Sequence, residues 1–292
     1  MDKKQELISI IIPTYNSSSF IDSCLESVIK QTYTNWEIII IDQMSSDNTL
    51  DVVKKKNNKK IKIFLNSNVG NIASSRNIGI NNSNANLVAF LDSDDIWLEN
   101  KLEDSVAFLG NSDLVYHNAS ILKKDKTLSI DKSHRFSIKD NPELMLTLGN
   151  PIITSSVVCK KKILNKIIQF SDDRDLVAIE DYDLWVNLAF DGANFKYLNR
   201  CLCIYRHHDN NISNIKFNRI IGLKKIFAKY DFKLAKYSKQ KANSYLRYLI
   251  ANILFLQKDS AIASEYLKLL FSRLDFSKKI DCIKKIIKIF FR

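Results

Sequence analysis

Apolar residues fall in short, nearly continuous blocks along the first third of the chain, and stretches of helical periodicity separate them. Residues 7–12 form one block, ending at Pro13. Residues 37–41 form a second, closing on Asp42, while 61–65 and 87–91 form a third and a fourth. Ser17 to Ser19 offer N-caps for a helix reaching about Lys30, and Ser45, Ser46 and Asp47 open another. The turn Asn68-Val69-Gly70 precedes a helix over residues 72–80. Nearly continuous apolar strands joined by helices predict an α/β chain with a parallel sheet covered on both faces. In such sheets ligands bind beyond the carboxyl ends of the strands. Asp42 and the run Asp92-Ser93-Asp94-Asp95 both stand at such ends, which places them at one site.

Beyond Trp97 the pattern is mixed. Residues 101–109 and 180–189 read as helices, 113–117 and 195–205 as strands, and 123–132 as a polar loop. From Ile212 onward, Ile, Leu, Phe and Tyr recur at helical spacing between lysines. No internal repeat is present.

Charge sharpens this division. The 292-residue chain carries a net charge of +12, which by itself resembles a nucleic-acid or membrane signal. Residues 215–292 hold 19 Lys and Arg against 5 Asp and Glu, whereas residues 1–214 hold 25 against 27. A near-neutral body, residues 1–213, is thus expected to precede a basic helical region, residues 214–292. Six Gly and three Pro exclude a collagen-like chain, and 46% hydrophobic residues suffice for a large core. Five scattered cysteines, odd in number and without a CxxC pair, argue against a zinc site or disulfide framework and fit a reducing cytoplasm. The first apolar run is too short for a signal peptide, and no run approaches the length that spans a bilayer.

Candidate chemistry follows the strand ends. Asp92, Asp94 and Asp95 repel one another unless a cation reconciles them, and a divalent ion with oxygen ligands is one answer; a solvated turn capping the next helix is the other. Asp42 can hydrogen-bond a base or ribose, or serve as an ordinary turn residue. Arg76 suits a diphosphate, or a surface helix. In Glu180-Asp181-Tyr182-Asp183-Leu184-Trp185, the acidic pair favours a helix start and also suits a general base. Tyr205-Arg206-His207-His208 can contact phosphates or complete a metal shell, or simply link body to tail.

Taken in order, Ile10-Ile11-Ile12-Pro13-Thr14-Tyr15-Asn16, Asp42, the Asn68 to Ile80 segment, Leu91-Asp92-Ser93-Asp94-Asp95, the Glu180 to Trp185 segment and Tyr205-Arg206-His207-His208 resemble the family 2 glycosyltransferases over residues 7–213. The resemblance implies a GT-A, Rossmann-like fold and an inverting transfer from a UDP-sugar, with Mn2+ or Mg2+ as cofactor. It implies that Pro13, Tyr15 and Asp42 hold the uridine and that Arg76 lies near the diphosphate. Asp92 would face the ribose and Asp94 the metal. Asp181 would be the base, with Glu180 beside it and Trp185 near the acceptor. Arg206 and His208 would close over the diphosphate, His208 also joining the metal; the Tyr-Arg-x-His spacing selects it over His207. Gln43-Met44-Ser45 departs from the family's usual Asp-Gly-Ser, so a different turn backbone is expected there.

The acceptor implied is a lipid-linked glycan, undecaprenyl-diphosphate-linked, in lipopolysaccharide, O-antigen or capsule synthesis. A protein or teichoic-acid acceptor, or a silent nucleotide-sugar-binding scaffold, is the alternative. In residues 277–292, Ile280, Ile283, Ile286, Ile287 and Phe290 can share one helical face with lysines opposite. That is the pattern of a helix lying on an anionic membrane surface, or of one docked on the body or on a second subunit. A cytoplasmic protein peripheral to the plasma membrane is expected. The basic segment carries no nucleic-acid-binding motif, so no nucleic-acid partner is expected.

Overall fold

The computed structural model describes residues 5–123, 127–130, 138, 141–166, 169–208, 216–255 and 262–290. Its opening half alternates as expected: β1 (Ile8–Thr14), α1 (Ile21–Ile29), β2 (Trp36–Asp42), α2 (Thr49–Lys55), β3 (Ile61–Leu65), α3 (Ile72–Asn81) and β4 (Leu87–Phe90). Next come β5 (Ile96–Trp97), α4 (Lys101–Leu109), β6 (Leu114–Leu122), β7 (Leu128–Ile130), α5 (Leu144–Leu148), β8 (Val158–Lys160), α6 (Lys161–Lys166), α7 (Glu180–Phe190) and β9 (Phe195–Arg206). Four helices close the described chain: α8 (Lys216–Tyr230), α9 (Lys236–Phe255), α10 (Ile262–Leu270) and α11 (Phe276–Phe290).

One sheet runs through the body in the order β3-β2-β1-β4-β8-β6-β9-β5, with β7 added on β6. The strands β1 to β4 are parallel to one another, as the apolar blocks predict. Beyond them the sheet is mixed: β8 is antiparallel to both β4 and β6, β5 is antiparallel to β9, and β6 is parallel to β9. Two shorter readings are corrected. The stretch read as a loop contains β7, and β6 runs to Leu122. Helix α1 starts at Ile21 with Phe20 at its N-cap and no side-chain cap; instead the Ser17 carbonyl accepts from the Phe20 and Ile21 amides at 2.9 Å each.

Neighbouring strand residues point to opposite faces of the sheet, and both faces are buried along β1, β2 and β4. Ile10, Ile12, Ile38, Ile40 and Ala89 pack towards α1 and α4 in one core cluster. Ile11, Ile39, Ile41, Val88 and Phe90 belong to a second cluster, beneath α3 and α7. That second core is continuous with the C-terminal helices through Leu223, Phe227, Tyr245, Tyr266 and Cys282. The expected boundary between residues 213 and 214 lies outside the described residues. Among the described residues no helix is long and apolar enough to cross a membrane.

Two positions bear on later points. Gly79 of α3 sits so close to the sheet that a Cβ would meet Ile11 Cγ2 at 2.5 Å and Ile41 Cδ1 at 2.8 Å. Lys101 of α4 is fully buried, its ammonium 3.9 Å from the Trp97 ring centroid, and burial pulls its pKa down to about 7.

Candidate active site

Parallel pairing aligns the strand ends: Thr14 stands beside Asp42, and Ile11 beside Phe90. The chain therefore leaves β1, β2 and β4 on one edge of the sheet. A cleft of about 590 Å³ opens there, lined by Pro13, Tyr15, Arg76, Asp92, Asp94, Glu180, Asp181 and His208 among others. These residues come from distant parts of the chain, and all eight were singled out in the sequence.

The three aspartates after β4 go three separate ways. Asp92 accepts from Arg76 Nη2 at 2.8 Å. Asp94 lies 2.9 Å from His208 Nε2. Asp95 turns inward, fully buried, and accepts from the Ser155 hydroxyl at 2.6 Å and the Arg206 amide at 3.2 Å. Burial raises the Asp95 carboxyl well above its usual range, and the charges of Asp94 and Asp92 push the same way. Asp94 is raised too, first by burial and then by the Asp92 charge, with His208 opposing.

Arg76 ties this wall of the cleft to the other. Its Nη1 donates to Glu180 Oε1 at 2.5 Å while Nη2 holds Asp92. Burial acts to lower its pKa, but the charges of Asp92, Glu180 and Asp181 more than offset this, so it stays protonated. Each terminal nitrogen is thus engaged by one carboxylate at the edge of the cleft. The second oxygen of Glu180 is buried and has no hydrogen-bond partner among the described residues.

Asp181 stands in the first turn of α7. The Thr154 hydroxyl donates to its Oδ2 at 2.9 Å, and the Tyr182 amide donates to Oδ1 at 2.7 Å. Burial raises its pKa, whereas the Arg76 charge and the Thr154 hydrogen bond lower it, leaving it above the ordinary value. A carboxylate raised in this way is a stronger proton acceptor than an exposed one. Ala178, two residues before α7, has φ of 74°, in the left-handed region that side chains disfavour, and it lines the cleft.

Three sequence-predicted residues do not line the cleft. Asp42 is fully buried at the end of β2, where Ser45 donates through its amide at 2.8 Å and its hydroxyl at 2.6 Å. Arg206 is spent on protein groups: it donates to the Asp94 carbonyl, to Ser23 Oγ at 2.7 Å and to the Phe20 carbonyl at 3.2 Å. Trp185 is fully buried against Phe90 and Phe170, so it packs the core rather than an acceptor. Of the paired histidines, His208 faces the cleft and stacks on Phe20 at 4.5 Å, whereas the His207 amide extends the sheet by donating to the Leu122 carbonyl.

After Asp42 the chain turns through Gln43, Met44 and Ser45, whose amide donates back to Asp42 Oδ1 at 2.8 Å. Met44 adopts φ of 58°, the conformation a glycine takes readily. Gln43 donates to the Asn71 carbonyl at 3.0 Å and accepts from the Gly70 amide at 3.1 Å, locking this turn to the start of α3. Sequence reasoning passed over Thr154, Ser155 and Phe20. Two hydroxyls beside the apolar pair Ile152-Ile153 were the available signal for the first two.

Among the described residues no group of three or more His, Cys, Asp and Glu side chains is arranged to hold a metal ion by itself. Asp92, Asp94 and His208 nevertheless offer carboxylate oxygens and an imidazole on one wall. That donor set suits Mn2+ or Mg2+ sharing its shell with phosphate oxygens.

This sheet, with its acidic cleft beyond β1, β2 and β4, defines a GT-A glycosyltransferase. The chain belongs to glycosyl transferase family 2, whose sequence model matches residues 9–167. It is 31% identical over 219 residues, 73% of this chain and 82% of the relative, to the UDP-Glc:alpha-D-GlcNAc-diphosphoundecaprenol beta-1,3-glucosyltransferase WfgD of Escherichia coli. Among solved structures it resembles S. aureus TarS 1-349 in complex with UDP-GlcNAc (TM-score 0.64, 18% identity, covering 97% of this chain and 91% of that one). It also resembles the mannosyltransferase PcManGT from Pyrobaculum calidifontis in complex with GDP-Man and Mn2+ (TM-score 0.64, 16% identity, covering 96% and 79%).

Proposed function

We propose that this enzyme moves a sugar from a UDP-sugar to a hydroxyl of an undecaprenyl-diphosphate-linked glycan, in the synthesis of lipopolysaccharide, O-antigen or capsule. The observation that carries this reading is the Asp92–Arg76–Glu180 bridge: one arginine holds the Asp92 and Asp94 wall in register with Asp181 across the cleft. The donor and acceptor named for the Escherichia coli relative support the choice of substrates. In this reading residues 1–213 carry the transfer, and residues 214–292 hold the enzyme at the cytoplasmic face of the plasma membrane.

The donor lies along the strand ends, with its base towards Tyr15 and its diphosphate towards Asp92 and Asp94. When bound there through Asp92, Asp94 and His208, Mn2+ or Mg2+ supplies positive charge to the departing diphosphate. Asp181 takes the proton of the acceptor hydroxyl. That oxygen bonds to the anomeric carbon from the face opposite the diphosphate, and the carbon–oxygen bond to the diphosphate breaks with its electron pair leaving on UDP. The anomeric centre is inverted.

Calorimetric titration with UDP, with and without Mn2+, tests the donor half on wild type and Asp94→Ala. Metal-dependent binding that the variant loses is the expected result, and binding of equal strength in all four titrations overturns it. Asp181→Asn should still bind UDP and transfer sugar at least about 10²-fold more slowly. Near-normal transfer by that variant removes Asp181 as the base.

A further inference from the structure

Helix α11 presents two apolar faces, not one. Cys282, Ile286 and Ile289 pack against the body. Asp281 and Lys285 share that side, bonded to Tyr248 and Asn252 of α9 at 2.7 and 2.5 Å. Phe276, Ile280, Ile283 and Ile287 form a separate stripe, 76%, 39%, 46% and 50% exposed. Their spacing of four, three and four residues keeps them on one side of a helix with 3.6 residues per turn. Ile286, grouped with them on the sequence pattern, belongs instead to the buried face.

The charges beside the stripe identify what covers it. Helix α11 holds five lysines and one acidic residue. Asp281 is neutralised on the body side by Lys285, at 2.6 Å. Helical spacing sets Lys279 along one border of the stripe and Lys284 and Lys288 along the other, and none of the three forms an ion pair with a described residue. The same four-three spacing would also suit a coiled-coil seam with a second copy. A second copy would set Lys279 and Lys284 against their own counterparts, with no carboxylate bordering the seam to receive them. An apolar stripe whose flanking charges on α11 are lysines fits a surface that is anionic outside and apolar beneath.

We infer that the Phe276–Ile280–Ile283–Ile287 stripe seats α11 in the headgroup region of an anionic lipid bilayer, with Lys279, Lys284 and Lys288 on the lipid phosphates. Aromatic and aliphatic side chains reach the acyl boundary while the lysine stems extend to the headgroups. Phe271, 92% exposed just after α10, adds apolar surface ahead of the stripe. This inference rests on the lipid-linked acceptor proposed above only for its purpose. The binding itself needs neither donor nor acceptor.

The test is co-sedimentation of the full chain with vesicles of phosphatidylglycerol and phosphatidylcholine, or of phosphatidylcholine alone, without substrates. Wild type should bind the anionic vesicles, weakly or not at all the neutral ones, and bind less as salt rises. Ile280→Ser/Ile283→Ser/Ile287→Ser and, separately, Lys279→Gln/Lys284→Gln/Lys288→Gln should each weaken binding at least about 10-fold. All substituted side chains are at least partly exposed, and a thermal melt checks that each variant stays folded. Wild type that ignores anionic vesicles overturns the inference. So does a serine variant that binds vesicles normally but converts a dimer to a monomer in analytical ultracentrifugation. Transfer to a detergent-free, water-soluble acceptor glycoside should be unchanged in both variants. Failure of that transfer in wild type, with vesicle binding intact, would count against the acceptor reading and leave this one standing.

Discussion

Arg76 Nη1 lies 2.5 Å from Glu180 Oε1, across 104 residues of sequence, and both side chains are buried. The pair joins α3 to α7, both of which line the cleft. Arginine suits this position because its planar fork can engage two carboxylates at once.

Arg76→Gln should therefore leave Glu180 buried without a counter-charge. Removing one partner of such a pair costs about 3–5 kcal/mol of stability. Arg76→Lys should recover part of that loss, since one ammonium can still meet Glu180. It should not recover turnover, which needs both walls in register and should stay down by about 10²-fold. Chemical denaturation and a transfer assay read the two effects separately, and a Lys variant with wild-type turnover would refute the bridge.

Thr154 holds the Asp181 carboxylate from below. Its hydrogen bond favours the charged form, so Thr154→Val should raise the Asp181 pKa further. A base must be deprotonated to act, so the acid limb of the kcat/KM profile should move to higher pH. A hydrogen bond to a charged group is worth about 1.5–3 kcal/mol, which corresponds to about 1–2 pH units. An unmoved acid limb would mean that another group sets it.

Lys101 makes stability depend on pH. Its folded pKa is about 7 and its ordinary value 10.5. Between those values the unfolded chain binds more protons, so this residue's contribution to stability rises with pH across that window and is least below it. Lys101→Met should stabilise the protein at pH 7. The difference between the variant's and the wild type's stability should shrink as pH rises, by up to about 1.4 kcal/mol per pH unit. Urea titrations at pH 7, 8 and 9 measure that slope, and a constant difference would show that Lys101 keeps its proton when buried.

Met44 holds its left-handed backbone with an exposed side chain. Met44→Gly removes the steric penalty and little packing, although glycine costs entropy in the unfolded chain. Stability should rise by up to about 1 kcal/mol. A loss of stability would mean that the Met44 side chain makes contacts worth more than the strain.

The blocks of β1, β2 and β4 were legible because these strands are buried on both faces, which makes each a predominantly apolar run. The boundaries of β3 and α4 fall where the pattern puts them. Strand β7 was not legible: among the described residues it pairs with β6 alone, at a sheet edge, and Leu128 is exposed. The motif order led to most of the cleft because each motif ends an element at the same sheet edge. Direction at a strand end is harder to read. Asp92, Asp94 and Asp95 lie within four residues, yet two face the cleft and one faces the core, because Ser155 and the Arg206 amide receive Asp95 from elements remote in sequence. Asp42 turns inward too, held by the Thr14 hydroxyl of the neighbouring strand as well as by Ser45 three residues on.

Gly79 acts on the cleft without ever meeting a substrate. It lets α3 rest on Ile11 and Ile41 at a spacing no other residue permits, and Arg76 is carried three residues earlier on the same helix. The depth of the guanidinium is therefore set by a contact one turn along the same buried face of the helix. An added methyl in Gly79→Ala would act as a shim: it would lift α3 and withdraw Arg76 from a carboxylate it now touches. Slower transfer with UDP binding preserved would register that displacement, which makes the thickness of one buried contact a control on how far apart the two walls of the cleft stand.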